Sequence, residues 1–136
     1  MFKRKILSKL EAWKRDERHK PLILRGARQV GKTTVVNEFG SQFDNYLYFN
    51  LEISESVRLF EMDIPLNDLV NMLFASLGKS QKEGSTLIFI DEIQNSPKTI
   101  ALLRYFYEQR PDLYVIAAGS LLENLVDVNV SFPVGR

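Results

Sequence analysis

The sequence of 136 residues predicts an α/β fold with a mostly parallel sheet, because strand patterns alternate with helix patterns along the chain. Two of the apolar runs, "PLILRG" and "TLIFIDE", are short and continuous, as expected of strands that are buried on both faces. The stretches between the runs carry apolar residues at helical spacing. A glycine-rich loop also joins the first strand to the helix that follows it.

The N-terminal third predicts a helix, a strand and a second helix. Over residues 1–20, apolar side chains recur at near-helical spacing among Lys, Arg and Glu, which predicts an amphipathic helix ended by Pro21. These apolar residues are Phe2, Ile6, Leu10 and Trp13. "PLIL" then predicts a buried strand, and helix formers after Gly31 predict a helix that starts at the glycine-rich loop. His19 stands among charged residues, so we expect it to be exposed.

The middle of the chain predicts a strand and two helices. "NYLYFNLE", residues 45–52, alternates in polarity and is rich in aromatics, which predicts a strand. We interpret its tyrosines simply as core or strand residues. A short helix follows with Ser54 as its N-cap. "PLNDLVNMLFASLG" has the most regular helical pattern of the chain, with Pro65 at its start and Gly78 just past its end.

The C-terminal third predicts two further strands and the helix between them. "TLIFIDE" is a buried central strand over residues 86–90 that is followed by two carboxylates. Ser96 as N-cap and Pro97 at the first helical position predict a helix that Pro111 ends. "LYVIAAGS" predicts a fourth strand, and "LLENLV" predicts a short helix or turn.

Composition and charge narrow the classes of function. The chain is 45% hydrophobic and 26% charged, as is usual for a globular domain, and it has no cysteine, which excludes disulfides, zinc–thiolate sites and thiol catalysis. Neither a signal peptide nor a membrane span is recognisable, so we expect a soluble, cytoplasmic protein with no membrane partner. The net charge is +8 over residues 1–32 and −7 over the remainder, which favours an anionic ligand or partner near the N-terminal third.

One motif points to nucleotide phosphates. "GARQVGKT", residues 26–33, matches the pattern G-x-x-x-x-G-K-[ST] and lies between a predicted strand and a predicted helix, as the pattern requires. Backbone amides of such a loop and the helix N-terminus hold the β-phosphate. The alternative is a glycine turn with a solvated lysine, which the flanking elements disfavour. The predicted nucleotide-binding residues are Gly26, Ala27, Arg28, Gln29, Val30, Gly31, Lys32, Thr33 and Thr34.

Four side chains are predicted to carry the chemistry. Lys32 reaches the β- and γ-phosphate oxygens, and the Thr33 hydroxyl is a ligand of Mg²⁺. In a parallel sheet the carboxyl ends of the strands face one crevice, which brings Asp91 and Glu92 towards the same phosphates. Asp91 then holds Mg²⁺ or its water, and Glu92 orients and polarises the attacking water. An acid pair at a strand end is usually solvated, but the phosphate loop favours the functional interpretation.

Three further features allow two interpretations each. Ser120, at the end of the fourth strand, either senses the γ-phosphate or caps the next helix. Arg136 is either an arginine that stabilises the transition state or, as we favour, part of a solvated tail. The basic face of the N-terminal helix either contacts nucleic acid or, more simply, is the solvated side of a docked helix. No Asn-Lys-x-Asp loop for guanine is present, so ATP is favoured over GTP.

Taken together, "RGARQVGKTTVV", "LIFIDEIQ" and "VIAAGS...SFPVGR" resemble the bacterial and archaeal AAA-type P-loop ATPases in which this domain precedes a C-terminal domain of poorly defined function. The resemblance covers nearly the whole chain, and its G-x-R-Q-x-G-K-T and D-E-I-Q motifs are fairly specific. It implies a three-layer sandwich of the additional-strand, catalytic-glutamate type with the sheet order 5-1-4-3-2. It also implies Lys32 and Thr33 on Mg-ATP, Asp91 on the metal, Glu92 as catalytic glutamate and Ser120 at the polar sensor position.

The resemblance implies further that residues 1–136 are one AAA-type ATPase domain and a fragment of a longer chain, because family members continue past such a "GR" into a fifth strand and a second domain. Without that strand, residues 22–24 would form a sheet edge open to pairing. The expected function is Mg²⁺-dependent ATP hydrolysis, weak in the isolated fragment, that drives or switches the C-terminal domain in cis. A nucleotide-dependent binding or signalling switch with little turnover stays open, as do oligomer formation and phosphoryl transfer to a small acceptor, which the Asp-Glu pair disfavours.

Overall fold

The computed structural model describes the backbone of residues 2–24 and 30–119 and the side chains of residues 4–24 and 31–119. The elements in chain order are α1 (Phe2–Arg15), β1 (Leu22–Leu24), α2 (Val30–Gly40), β2 (Asn45–Asn50), α3 (Ser54–Phe60), α4 (Leu66–Ser76), β3 (Thr86–Asp91), a 3₁₀ turn (Ile93–Asn95), α5 (Pro97–Gln109) and β4 (Tyr114–Ala118). The predicted alternation of helices and strands is confirmed over these ranges, and "LLENLV" lies outside them. No helix within the described ranges is long and apolar enough to cross a membrane.

All strand pairings in the sheet are parallel, and the strands lie in the order β1-β4-β3-β2. The register places Ile23 beside Ala117, Ile116 beside Phe89, and Asn50 beside Asp91. The predicted α/β class with a parallel sheet is therefore confirmed, and the order of these four strands agrees with the corresponding part of the order that the resemblance implies. In the described part of the sheet β1 is an edge strand. The expectation about a fifth strand concerns residues that the structure does not describe.

Helices cover both faces of the sheet, which gives three layers and two apolar clusters. Alternate residues of β3 face opposite ways: Leu87 and Phe89 pack in the cluster with α1 and α2, whereas Ile88 and Ile90 pack in the cluster with α3, α4 and α5. Every residue of β3 is buried, as expected for a central strand of a parallel sheet. Carboxyl ends of all four strands thus open at one edge, between the two helical layers.

Helix α1 docks onto the sheet by the apolar face predicted for it. Leu10 and Trp13 are buried, and the Trp13 indole donates to the Lys20 carbonyl oxygen at 2.8 Å. The prediction that His19 is exposed was wrong, because the residue is only 9% exposed. Its ring stacks on Tyr114 with the centroids 3.9 Å apart, and Nε2 lies 3.0 Å from the Leu113 carbonyl oxygen. The turn after α1 folds the ring against the start of β4, which the charged neighbours of His19 in sequence do not reveal.

The two predicted serine caps have different outcomes. The hydroxyl oxygen of Ser96 accepts a hydrogen bond from the Thr99 amide at 3.2 Å, so Ser96 caps α5 as predicted, with Pro97 in the first turn. The prediction for Ser54 was wrong: α3 already includes it, its N-cap is Ile53, and no side chain caps that end. The amino end of α3 is instead reached directly from the turn that follows β2.

Candidate functional site

The N-terminus of α2 meets the carboxyl end of β3. Lys32 and Thr33 lie in the first turn of α2, and Asp91 is the last residue of β3. The Thr33 hydroxyl donates to Oδ2 of Asp91 at 2.9 Å, although the two residues are 58 positions apart in sequence. This contact arises because α2 begins at the same edge of the sheet at which β3 ends.

Asp91 is surrounded by hydrogen-bond donors. The residue is only 8% exposed. Oδ2 accepts from the Tyr48 hydroxyl at 2.9 Å as well as from Thr33, and Oδ1 accepts from the Glu92 amide at 3.0 Å. A buried carboxylate needs such partners, because burial of a carboxylate without them is costly. The three donors therefore fix Asp91 in one orientation.

Tyr48 is a site residue that the sequence analysis missed. It was interpreted as a core or strand residue, and it does lie in β2, but its hydroxyl belongs to the Asp91 cluster. Burial and the hydrogen bond to Asp91 raise the pKa of Tyr48, because both favour the protonated phenol that donates to the carboxylate. The alternating pattern of "NYLYFN" was the available signal, because it puts Tyr46 and Tyr48 on one side of the strand, which in the structure is the face that carries α2.

Lys32 is half-buried at the start of α2. Burial lowers the pKa of its ammonium group, since removal from water disfavours the charged form. A bound triphosphate would act in the opposite direction, because negative charge favours the ammonium. A bound anion would thus offset the effect of burial on the Lys32 ammonium group.

Glu92 has an unusual backbone conformation. Its φ of 56° and ψ of 43° are left-handed, and no other non-glycine residue in the described ranges has a positive φ. Such a conformation costs on the order of 1–3 kcal/mol and persists where the surroundings determine it. Here its amide donates to Asp91, and its carbonyl oxygen accepts from Asn95 at 3.2 Å. Its Oε1 accepts from Nε2 of Gln94 at 2.8 Å, so both the backbone and the side chain of Glu92 are held.

The donor atoms of this site fit Mg²⁺ together with a nucleotide. The described residues contain no group of three or more His, Cys, Asp and Glu side chains that could hold a metal ion. The Thr33 hydroxyl and the Asp91 carboxylate are nevertheless two hard oxygen donors whose atoms lie 2.9 Å apart. Mg²⁺ is usually bound through one or two carboxylates, with substrate phosphates and water completing its six ligands. The site therefore suits a metal ion that arrives with phosphate.

Not all predicted site residues fall in the described ranges. Gly31, Lys32, Thr33 and Thr34 lie in the first turns of α2, at the edge of the sheet where Asp91 and Glu92 also lie, and the Thr34 side chain is exposed. Val30 begins α2 and is described by its backbone only. The predicted residues outside the described ranges are Gly26, Ala27, Arg28, Gln29, Ser120 and Arg136.

The fold and the site define a class. A parallel sheet in the order β1-β4-β3-β2 lies between helical layers, and the helix after β1 begins beside the carboxylate that ends β3. This is the arrangement of a P-loop nucleoside triphosphatase domain. The sequence profile of a family described as an AAA domain matches residues 18–136, and the chain belongs to that family. The resemblance drawn from the motifs is thereby confirmed.

Two solved structures have a similar fold: the Drosophila ORC bound to DNA and the Aeropyrum pernix ORC1 protein in complex with DNA. Each is 17% identical to this chain, with TM-scores of 0.58 and 0.57, and the likeness covers 90% of this chain. The chain spans only 39% and 38% of the length of those two proteins, and at this identity the likeness concerns the fold. No curated protein matches the sequence significantly.

Proposed function

We propose that this domain binds ATP with Mg²⁺ and hydrolyses the β–γ phosphoanhydride bond, and that hydrolysis drives or switches a C-terminal domain of a longer chain. The observation that carries the proposal is the hydrogen bond between Thr33 and Asp91, which joins the phosphate-loop helix to the acidic end of β3. Membership of the AAA domain family supports a nucleotide-binding domain of the ATPase type.

Binding of the triphosphate is assigned to residues 26–34. The amides of the loop hold the β-phosphate, and the Lys32 ammonium contacts the β- and γ-phosphate oxygens. Its half-buried environment strengthens that contact relative to one in water. Thr33 and Asp91 hold Mg²⁺, which when bound neutralises the negative charge on the phosphate oxygens.

Hydrolysis is assigned to Glu92. Its carboxylate accepts a proton from a water molecule while the water oxygen forms a bond to the γ-phosphorus. The bond between the γ-phosphorus and the bridging oxygen breaks, which gives ADP and inorganic phosphate. Ser120 is proposed to contact the γ-phosphate from the end of the fourth strand. Because Glu92 is fixed by Asp91, Gln94 and Asn95, it needs little reorganisation before it acts.

The test is Mg-ATP turnover by the complete protein, with Lys32→Ala as the blank and Glu92→Gln as the diagnostic variant. We expect Glu92→Gln to bind ATP with an affinity close to that of the unmodified protein and to lose turnover by a factor of about 100 or more. Unchanged turnover in Glu92→Gln would exclude the catalytic role. Transfer of phosphate to an added small acceptor, found by product analysis, would indicate a phosphotransferase instead.

A nucleotide-dependent switch is the second candidate. The contacts that suit Mg-ATP binding, those of Thr33, Tyr48 and Asp91, do not involve the Glu92 side chain, so binding without turnover is compatible with the same geometry. The two candidates differ in what Glu92→Gln does to the biological output of the longer chain. A hydrolysis-driven cycle fails in that variant, whereas a binding switch still works.

Nucleic acid is a candidate partner of α1. The apolar face of α1 is docked, and the side chains of Arg4, Lys5, Lys9 and Arg15 are exposed on its other faces. The two similar structures are each described as bound to DNA, which is a statement about those proteins. Titration of Mg-ATP turnover with DNA and RNA tests the idea, with Lys32→Ala as the blank. Stimulation that is lost when Lys5 and Lys9 are changed to Glu supports it, and a flat titration points to a protein partner.

A further inference from the structure

We propose that Gln94 is a positioning residue for Glu92 and that it links the Glu92 carboxylate to Gly119, the residue that follows β4. The inference rests on the proposed function, because it concerns the orientation of the proposed catalytic glutamate. The sequence analysis gave Gln94 no role beyond its place in the D-E-I-Q motif.

The first link is the hydrogen bond from Gln94 to Glu92. Nε2 of Gln94 donates to Oε1 of Glu92 at 2.8 Å. Gln94 lies in the 3₁₀ turn, and the neighbouring Ile93 is completely buried, which anchors this turn in the apolar core. The donor that holds the Glu92 carboxylate is therefore itself carried by a fixed backbone.

The second link is the packing of the other end of the carboxamide. Oε1 of Gln94 is buried and has no hydrogen-bond partner among the described residues. It lies directly against Gly119: a β-carbon at position 119 would collide with this oxygen and would come within 3.4 Å of the Ile93 amide nitrogen. The carboxamide is thus confined between Glu92 and Gly119.

The confinement couples two parts of the site. If Gly119 moves relative to β3, the carboxamide of Gln94 must follow or turn, and the hydrogen bond to Glu92 changes with it. Gln94 therefore connects the end of β4 to the carboxylate that is proposed to activate water.

The first experiment compares Gln94→Ala and Gln94→Glu with the unmodified complete protein. Gln94→Glu has nearly the same size but replaces the donor by a carboxylate. For both variants we expect kcat to fall by about tenfold or more, with KM and the Kd for a fluorescent ATP analogue within about twofold. The matched control is Gln42→Ala, because Gln42 also donates to a carboxylate, that of Glu11 at 3.0 Å, but does so on the exposed surface. It should leave kcat unchanged.

The second experiment tests the link to Gly119 with a double-mutant cycle. Gly119→Ala alone should lower kcat, because the new methyl group displaces the carboxamide. In the Gln94→Ala background the space is free, so Gly119→Ala should cause little further loss, and the two effects should not multiply. If Gly119→Ala alone prevents folding, the double variant should restore it. Effects that multiply, or folding that is not restored, would overturn the link.

The outcomes separate this inference from the proposed function. Turnover that is abolished by Lys32→Ala but unchanged in Gln94→Ala overturns the role of Gln94 and leaves the ATPase intact. A fall in melting temperature with an unchanged kcat assigns Gln94 a purely structural role and also overturns the proposal. Absence of Lys32-dependent turnover in the unmodified protein overturns both.

Discussion

Oδ2 of Asp91 accepts two hydrogen bonds, one from the Thr33 hydroxyl in α2 and one from the Tyr48 hydroxyl in β2, each at 2.9 Å. Three elements that are distant in sequence therefore meet at a single oxygen atom of a buried residue. A carboxylate held in this way is a ligand of fixed orientation, and loss of a group that orients a metal ligand typically lowers metal affinity by about 10- to 100-fold.

Loss of the Tyr48 hydroxyl should weaken the Mg²⁺ site. In Tyr48→Phe, Asp91 loses one of its two hydroxyl donors, so we expect the Mg²⁺ concentration for half-maximal nucleotide binding to rise by about tenfold. The free energy of unfolding should fall by about 1 kcal/mol, the usual contribution of one hydrogen bond. Mg²⁺ titration of nucleotide binding and urea denaturation measure the two effects.

The matched control for Tyr48 is Tyr114→Phe. The Tyr114 hydroxyl donates to the Lys14 carbonyl oxygen at 2.8 Å, away from Asp91. This variant should lose a similar free energy of unfolding and leave the Mg²⁺ requirement unchanged. An equal rise in the Mg²⁺ requirement in both variants would show that the effect of Tyr48 is not specific to the site.

Removal of the Thr33 hydroxyl should affect nucleotide binding only when Mg²⁺ is present. In Thr33→Val we expect the Kd for ATP with Mg²⁺ to rise by about tenfold or more, and the Kd in EDTA to change by less than about twofold. Calorimetric titration under both conditions measures this. Ser76→Ala is the control, since the Ser76 hydroxyl donates to Leu73 within α4. Equal losses with and without Mg²⁺ would exclude Thr33 as a metal ligand.

Substitution of His19 should weaken the docking of α1. His19 stacks on Tyr114, contacts Trp13 edge to face and lies within hydrogen-bond distance of the Leu113 carbonyl oxygen. We expect His19→Ala to lower the free energy of unfolding by about 1–3 kcal/mol and to leave the ATP affinity unchanged. Arg18→Ala, which changes the exposed neighbour of His19, should alter the free energy of unfolding by less than about 0.5 kcal/mol. Similar small effects of the two variants in urea denaturation would contradict the prediction.

The ion pair of Arg110 and Asp112 should make a small part of the stability pH-dependent. Arg110 donates to both carboxylate oxygens at 3.0 Å, and this hydrogen bonding lowers the pKa of Asp112 in the folded state. A lowered folded pKa stabilises the protein above the unfolded pKa, and that stabilisation is lost as the pH falls through the folded pKa. Because the Asp112 side chain is 63% exposed, we expect Asp112→Asn to cost less than about 1 kcal/mol at neutral pH.

Urea denaturation of the unmodified protein and of Asp112→Asn at decreasing pH checks this ion pair. The difference between the two free energies of unfolding should shrink and vanish once Asp112 is protonated in both states. A difference that stays constant as the pH falls would assign the cost to packing and not to charge.

Strands that are buried on both faces were predicted closely from sequence. The pattern placed the third strand at residues 86–90, and β3 is Thr86–Asp91. The reason is local: such a strand needs a continuous apolar run, and this run ends at the acids that face the crevice. Ser96 was also predicted correctly as a cap, since it stands next to Pro97 at a helix start. Ser54 had no comparable neighbour, and its prediction failed.

The residues that sequence reasoning missed are those whose partners are far away in the chain. Tyr48 acts on Asp91 through the parallel pairing of β2 with β3, and His19 is buried by the start of β4. Gln94 contacts Gly119 across 25 positions, which no local pattern indicates. In each case the residue type was visible, but its surroundings depended on the packing of separate elements.

The sequence by itself determined the α/β class, the order of the elements and the predicted phosphate loop with its acid pair, because apolar periodicity and the spacing of glycine, lysine and threonine are local properties of the chain. Only the tertiary structure decided that Thr33 and Tyr48 share one oxygen of Asp91, and that Gln94 lies between Glu92 and Gly119. Those relationships depend on strand order and register, which the burial of apolar surface on both faces of the sheet fixes for the molecule as a whole.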